Sequence, residues 1–523
     1  MINYNMINYF PYTDRIVEPR AVQVDCLNWI ESKWGDFNRF AVCAPVGSGK
    51  SAIGLAVLRS FNHGLYTSPL NALVDQVDEG FVDYVTTLKG RKHYPCLAGK
   101  EHCGVGYCQK NGLCQIDSGD RVCTSKDLPL KCENCGCKDC VYRSAFYAFQ
   151  GSKLGNTNFS LFLLGVTNSP SVIVIDEADQ IEDFVRLHYT YSFNKKLSLE
   201  WKKTLNGLSK HRDTLITTMG VLGQRLFKEK LKKDPEKFVI NNLSGEITGL
   251  EREIEHVTQI LLDYDEYGEE WVVEFNQNKT IIRPVTVDRF IEPLLKNKKV
   301  VLMSATLSPS LRNQGYAYVE VPSPFPPKLR PWRFIPIGNM GFKYRAKTIP
   351  LVVQHLSKLP TGKTIVHCNS YKIAEALGLG LEKNHDIYPM VQTNGVQTQY
   401  KRGVKRNEAI QLFKDSQNPR EILLSVNLTR GVDLFESNIT NNIIVVLPFP
   451  NPTDPLVKKK NKLLGKAWQG KDMAHEIQQS YGRINRNDRK TTNTEILDSR
   501  WRWWYPENKK YFNEWFTECR VKP

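Results

Sequence analysis

The segment FAVCAPVGSGKSAIGLAVLRSF joins an apolar β-type run to a helical stretch through a glycine-rich turn that ends in Gly-Lys-Ser. Such a turn can cradle phosphates. Gly47, Ser48 and Gly49 let backbone amides curl around them, the helix N-terminus adds its positive end, and Lys50 reaches the β- and γ-phosphates. Ser51 would hold Mg2+. The first glycine of the usual pattern is Ala44 here. A second apolar run, SVIVIDEAD, delivers carboxylates: Asp176 can bind the metal through water, and Glu177 can orient or deprotonate the attacking water. The two motifs together predict a nucleoside triphosphatase. A chance glycine turn and a solvated acidic turn are the plain alternatives, and both are disfavoured by the β-type runs directly before the motifs. Phosphoryl transfer also needs cations on the developing charge, and QQSYGRINR offers Gln479, Arg483 and Arg486 at i, i+4 and i+7 of a helix. A basic solvated helix face is the competing reading of that segment.

Cysteines are the second chemical signal. Of 13 in the chain, nine lie between Cys96 and Cys140, and the run CENCGCKDC is the densest. In a reducing compartment such a cluster reads as a metal or iron–sulfur site before it reads as a set of disulfides. Thiolates two to five residues apart can reach one centre while the distant Cys96 closes the loop. Spacing alone does not separate zinc from iron–sulfur, and an odd count leaves at least one thiol out of any paired scheme.

These residues need a scaffold. The 523 residues are 41% hydrophobic and 24% charged, the balance of a globular chain with several cores, which excludes a small binding module and a disordered chain. Short β-type runs recur at 40–44, 63–68, 171–176, 299–306, 363–369, 421–427 and 442–449, separated by segments long enough for helices. That alternation predicts parallel α/β sheets, two rather than one, divided by the proline-rich stretch VPSPFPPKLRPW. From about Phe184 to Arg283 the composition turns to Leu, Lys and Glu with helical periods, ending in a strand pair, WVVEF and TIIRPV. The net charge of +16 points to a polyanionic partner, nucleic acid first and an anionic membrane surface second. No apolar run approaches the ~20 residues that span a bilayer, and the start lacks the order of a signal peptide, so a cytoplasmic protein is expected. Lys89, Arg91, Lys92, His93 and Tyr94 combine cations with an aromatic face, as single-strand binding requires. Trp501, Trp503, Trp504 and Trp515 fit a packed terminal core better than a stacking platform. Lys458, Lys459 and Lys460 could sit on phosphates or be solvated.

The ordered set APVGSGKS, YTSPLNALVDQ, VIVIDEAD, VLMSATLSP, TIVHCNS, LLSVNLTRGVDL and QSYGRINR resembles the motif series of superfamily 2 helicases. Within that superfamily the chain is similar to the iron–sulfur branch typified by XPD and DinG. LKGRKHYPC, CVYRSAFYAF with TNFSLFLL, VPSPFPP and IIVVLPFPNPTDPLV carry this narrower likeness, which runs from about Arg20 to Asp498.

The resemblance implies two RecA-like parallel-sheet domains, with an iron–sulfur insert and a helical arch-like insert in the first. The first domain would comprise 1–88, 141–183 and 284–320, the cluster insert 89–140, the arch 184–283, and the second domain 321–523. It implies an ATP-dependent DNA helicase moving 5′ to 3′ on single-stranded DNA and unwinding forked or looped duplexes, as a monomer, with Mg2+ and a 4Fe-4S cluster. Arg20 and Gln23 match the segment that contacts adenine, and Ser304, Ala305 and Thr306 the element coupling hydrolysis to DNA. Gly431 and Asp433 match the next coupling motif, and Gln479, Arg483 and Arg486 the γ-phosphate sensors. Cys96 and Cys140 match cluster ligands; Cys132 and Cys135 are favoured for the middle pair, with Cys108, Cys114 and Cys137 as alternates. The family usually reads DEAH, whereas this chain has Asp179 in the histidine position. No exonuclease or other appended domain is expected. Two rival readings stand beside this one: a DEAD-type ATPase acting on RNA or nucleoprotein with a zinc site, and a nucleic-acid-binding adaptor latched by ATP.

Overall fold

The computed structural model describes residues 5–14, 16, 18–61, 63–95, 103, 141–193, 201–232, 236–276, 279–381, 387–389, 406–426, 439–482, 484 and 491–521. Apolar, β-branched runs bounded by turn residues become the central strands of two parallel sheets. The first is built from β1 (Arg39–Cys43), β2 (Gly64–Ser68), β3 (Thr86–Leu88), β4 (Leu154–Asn158) and β5 (Val172–Asp176). After a three-stranded antiparallel sheet of β6 (Tyr191–Phe193), β7 (Trp271–Asn276) and β8 (Lys279–Pro284), the chain returns to add β9 (Lys299–Ser304) and β10 (Ala317–Glu320). The order of the first sheet is β10-β1-β9-β5-β2-β4-β3, every pairing parallel.

Both faces of this sheet are covered, and its central strands β1, β9 and β5 read accordingly as largely apolar runs. Ala41, Cys43, Ile173, Ile175, Val300 and Leu302 enter one core, while Phe40, Val42, Val172, Val174, Val301 and Met303 enter the other. The helix Lys50–Arg59 lies on the second face, and Gly54 lets it come close: a Cβ there would stand 2.6 Å from the Met303 methyl.

Two long helices, Trp201–Lys230 and Lys237–Tyr267, pack along one another between β6 and β7. At 30 and 31 residues, each extends about 45 Å. The β7–β8 pair at their end coincides with WVVEF and TIIRPV.

The second sheet holds β11 (Trp332–Gly338), β12 (Lys363–His367), β13 (Ile387–Pro389), β14 (Ile422–Ser425), β15 (Ile439–Ile444) and β16 (Asn493–Asp498), in the order β11-β16-β15-β12-β14-β13. It too is parallel. Val366, Leu424, Ile443 and Leu497 face one core, and Ile444 and Ile496 face an aromatic core with Trp332, Trp501, Trp504, Trp515 and Phe516. The terminal tryptophans are thus mainly packing residues; Trp503 alone among the four stays half exposed. The architecture is the expected α/β one with two parallel-sheet domains.

Candidate functional site

Register brings the motifs together. β9 lies between β1 and β5, with Cys43 opposite Ser304 and Asp176 opposite Met303. The glycine-rich turn after β1, the acidic motif after β5 and the Ser-Ala-Thr segment after β9 therefore leave the sheet side by side at its carboxyl edge, where ligands of open α/β sheets bind.

The turn closes on itself. Gly47 and Gly49 have φ of +83° and +81°, in the left-handed region that favours glycine, and the Ser48 hydroxyl donates to the Pro45 carbonyl at 2.7 Å. Ala44 holds the place of the missing glycine by continuing the sheet, its amide donating to the Ser304 carbonyl at 2.9 Å. Lys50 opens the following helix, with Nζ 3.4 Å from the Ala44 carbonyl. Arg20 and Gln23 reach this turn from the first helix. An Arg20 guanidinium nitrogen donates to the Gly47 carbonyl, Gln23 Nε2 lies 3.4 Å from the Gly49 carbonyl, and Gln23 Oε1 accepts from the Arg20 amide at 2.8 Å.

Asp176 is buried, and burial pushes its carboxyl upward. The Lys50 charge, the Tyr66 hydroxyl and the Glu177 amide pull the other way. Tyr66 donates to Oδ2 at 2.8 Å and the Glu177 amide to Oδ1 at 2.9 Å. Tyr66 is itself fully buried and also bonded to the Ser51 side chain, so one phenol joins the serine and the aspartate. Glu177 takes a left-handed backbone, φ +47°, rare outside glycine and asparagine.

The second domain meets this edge through the helix Ala467–Gly482. Gln479 Nε2 donates to Thr306 Oγ1 at 2.9 Å, both groups buried. One turn earlier His475 Nε2 stands 2.9 Å from Asp179 Oδ2, while Ser304 Oγ donates to Asp179 Oδ1 at 2.5 Å. Trp515 Nε1 donates to the Ala305 carbonyl at 3.0 Å, and Asn513 Nδ2 to that of Leu307 at 3.1 Å, so the C-terminal segment backs the same element.

Among the predicted site residues, Arg20, Gln23, Gly47, Ser48, Gly49, Lys50, Ser51, Asp176, Glu177 and Gln479 all belong to this cleft. Gly431, Asp433, Arg483 and Arg486 lie outside the described residues, and the helix carrying Gln479 ends at Gly482. Cys96, Cys108, Cys114, Cys132, Cys135, Cys137 and Cys140 also lie outside them. Cys103 is described and buried, its amide donating to the Tyr94 carbonyl at 2.7 Å. Among the described residues no group of three or more His, Cys, Asp or Glu is placed to hold a metal.

Several cations singled out as nucleic-acid contacts have protein partners. Lys89 pairs with Asp75, Arg91 lies over the Tyr142 ring at 5.1 Å, and His93 Nε2 is 2.9 Å from Asn71 Nδ2. Lys459 pairs with Glu269 at 3.0 Å and Lys460 with Glu182 at 3.7 Å, tying the second domain to the base of the long helices and to the first domain. Tyr66 and His475 were not identified from the sequence. The signal for His475 was present in HEIQQSYGR, one helical turn before Gln479, opposite an acidic motif lacking its usual histidine.

Comparison with known proteins agrees with this geometry. Residues 352–519 match the helicase C-terminal domain family. An XPD helicase structure superimposes with a TM-score of 0.62 at 16% identity, covering 97% of this chain and 100% of that one. The chain has the fold of the XPD helicases. Xpd4 of S. tokodaii aligns at TM-score 0.57 and 14% identity, over 96% of this chain and 100% of its own, and an apo XPD structure at 0.55 and 16%, over 94% and 98%. No curated protein sequence matches the chain. Among the described residues no helix is long and apolar enough to cross a membrane.

Proposed function

We propose that this chain is an ATP-driven helicase that translocates on single-stranded DNA, 5′ to 3′, and unwinds forked or looped duplexes as a monomer in the cytoplasm. The observation that carries the reading is the joint placement of Lys50, Asp176 and Gln479. A phosphate-cradling turn and a buried carboxylate lie at one sheet edge, and a second domain touches that edge through Thr306.

In this reading Gly47, Ser48, Gly49 and Lys50 bind the triphosphate, with Arg20 and Gln23 beside the base. Ser51 and Asp176 would hold Mg2+, which neutralises charge on the bound phosphates; the buried, donor-rich surroundings of Asp176 suit a carboxylate kept for a cation. Glu177 orients the attacking water or takes its proton. Gln479, Arg483 and Arg486 meet the γ-phosphate from the second domain, and Gly431 and Asp433 with Ser304, Ala305 and Thr306 transmit its loss to the bound DNA. The domain boundaries given above go with this assignment. The nine cysteines of 96–140 support a 4Fe-4S cluster held by Cys96, Cys132, Cys135 and Cys140.

Lys50→Ala tests the assignment. It removes the cation that opens the helix after the phosphate-cradling turn and is expected to abolish DNA-stimulated ATP hydrolysis in the full chain while DNA binding persists. Equal turnover in variant and parent refutes it.

A further inference from the structure

The Asp179 carboxylate, in the position where the resembled family carries histidine, has two partners from two domains. Oδ1 accepts from Ser304 Oγ at 2.5 Å, within the first domain, and Oδ2 lies 2.9 Å from His475 Nε2 of the second. The Asp179 side chain is 5% exposed and that of His475 14%, so the contact is largely shut off from water. Gln479 follows His475 by one helical turn on the same face and donates to Thr306 at 2.9 Å. The Thr306 amide in turn donates to Ser304 Oγ at 3.3 Å. Asp179, Ser304, Thr306, Gln479 and His475 thus form a closed ring that crosses the domain boundary twice.

A buried polar contact to a carboxylate is a weak source of net stability, because desolvation offsets the attraction. It is, however, steeply dependent on geometry, which suits a contact that is made when two domains meet and lost when they part.

We propose that His475 is a positioning residue that couples the phosphate site to the second domain, supplying from the facing helix the histidine that the acidic motif lacks. Through Asp179 it fixes Ser304, and with Gln479 it fixes Thr306, so the Ser-Ala-Thr segment takes its place only when the helix Ala467–Gly482 is docked. This rests on the reading of the cleft as a DNA-stimulated ATPase.

Two measurements on the full-length protein test it. The first is steady-state ATP turnover with and without single-stranded DNA for the parent, His475→Ala, His475→Gln, Asp179→Ala and the His475→Ala/Asp179→Ala double variant. DNA stimulation of kcat is expected to fall about tenfold or more in His475→Ala, the effect of losing one close polar contact to a largely buried carboxylate, with KM for ATP changed less than about twofold. His475→Gln, whose amide can still donate to Asp179, recovers most of the stimulation, and the double variant is no worse than either single one. Full stimulation in His475→Ala, or additive losses in the double variant, overturns the proposal.

The second measurement is hydrogen exchange of the Ala305 and Thr306 amides without nucleotide, which needs no turnover. Faster exchange in both single variants, with no further gain in the double one, is expected; unchanged exchange overturns the proposal. If the parent shows no DNA-stimulated turnover, the ATPase reading fails, and the exchange measurement still decides the contact.

Discussion

Tyr66→Phe removes one atom from the centre of the cleft and leaves the ring in its packing. The lost hydroxyl donates to buried Asp176 Oδ2 at 2.8 Å. A hydrogen bond to a charged group contributes roughly 1.5–3 kcal/mol, so the Asp176 carboxyl should titrate higher in the variant. The direction follows from which form is stabilised: the hydroxyl favours the ionised carboxylate, so its removal favours protonation. Burial already pushes this carboxyl up, and the variant adds to that push. Since a protonated Asp176 cannot serve a cation, the acid limb of kcat/KM for Mg-ATP should move to higher pH, while the alkaline limb stays in place. The assay is steady-state hydrolysis across pH with saturating DNA, with thermal melting as a control for folding. Superimposable pH profiles for parent and variant would refute the role given to Tyr66.

Arg330 is 2% exposed and binds the Phe325 carbonyl at 2.9 Å, the Trp515 carbonyl and the Glu518 carboxylate. Arg330→Met removes these three contacts, the one to Trp515 buried and that to Glu518 partly exposed, and should lower unfolding stability by about 1–3 kcal/mol, read as a fall in denaturation midpoint; an unchanged midpoint contradicts the packing described for the C-terminal segment. Cys96→Ser should lose iron and unwinding while keeping part of its ATP turnover, and full iron occupancy by elemental analysis would remove Cys96 from the ligand set.

Much of the fold was legible because both sheets are buried on two faces, and their central strands appear as continuous apolar runs. SVIVID, KVVLMSAT and KTIVHCN fall on β5, β9 and β12 for that reason. β4 escaped because its sequence, LGNTN, is polar although every residue is buried. Its polar side chains find partners on neighbouring elements far off in sequence: Asn156 Nδ2 donates to the Val74 carbonyl at 3.0 Å and the Thr157 hydroxyl to that of Leu88 at 2.9 Å. β15 begins three residues before its apolar run, at Ile439, because Asn441 and Asn442 are buried and bonded, the latter to His367 Nε2 at 2.9 Å. The run's other end, Val445 to Leu447, is buried beyond the end of the strand.

At the site, local spacing was enough to find Lys50 and Asp176, since their motifs sit where a strand hands over to a turn. Tyr66 and His475 act on residues 110 and nearly 300 positions away in the chain, through strand order and domain contact; no local pattern encodes the first, and HEIQQSYGR gains its meaning for the second only once the facing acidic motif is known.

The most direct test of the central claim is strand displacement by the full-length protein on duplexes with a single-stranded tail at one end. ATP-dependent release from a 5′-tailed DNA duplex, absent with a 3′-tailed one and absent in Lys50→Ala, is the predicted result. Failure to displace either DNA substrate, alongside turnover stimulated by RNA alone, would contradict it.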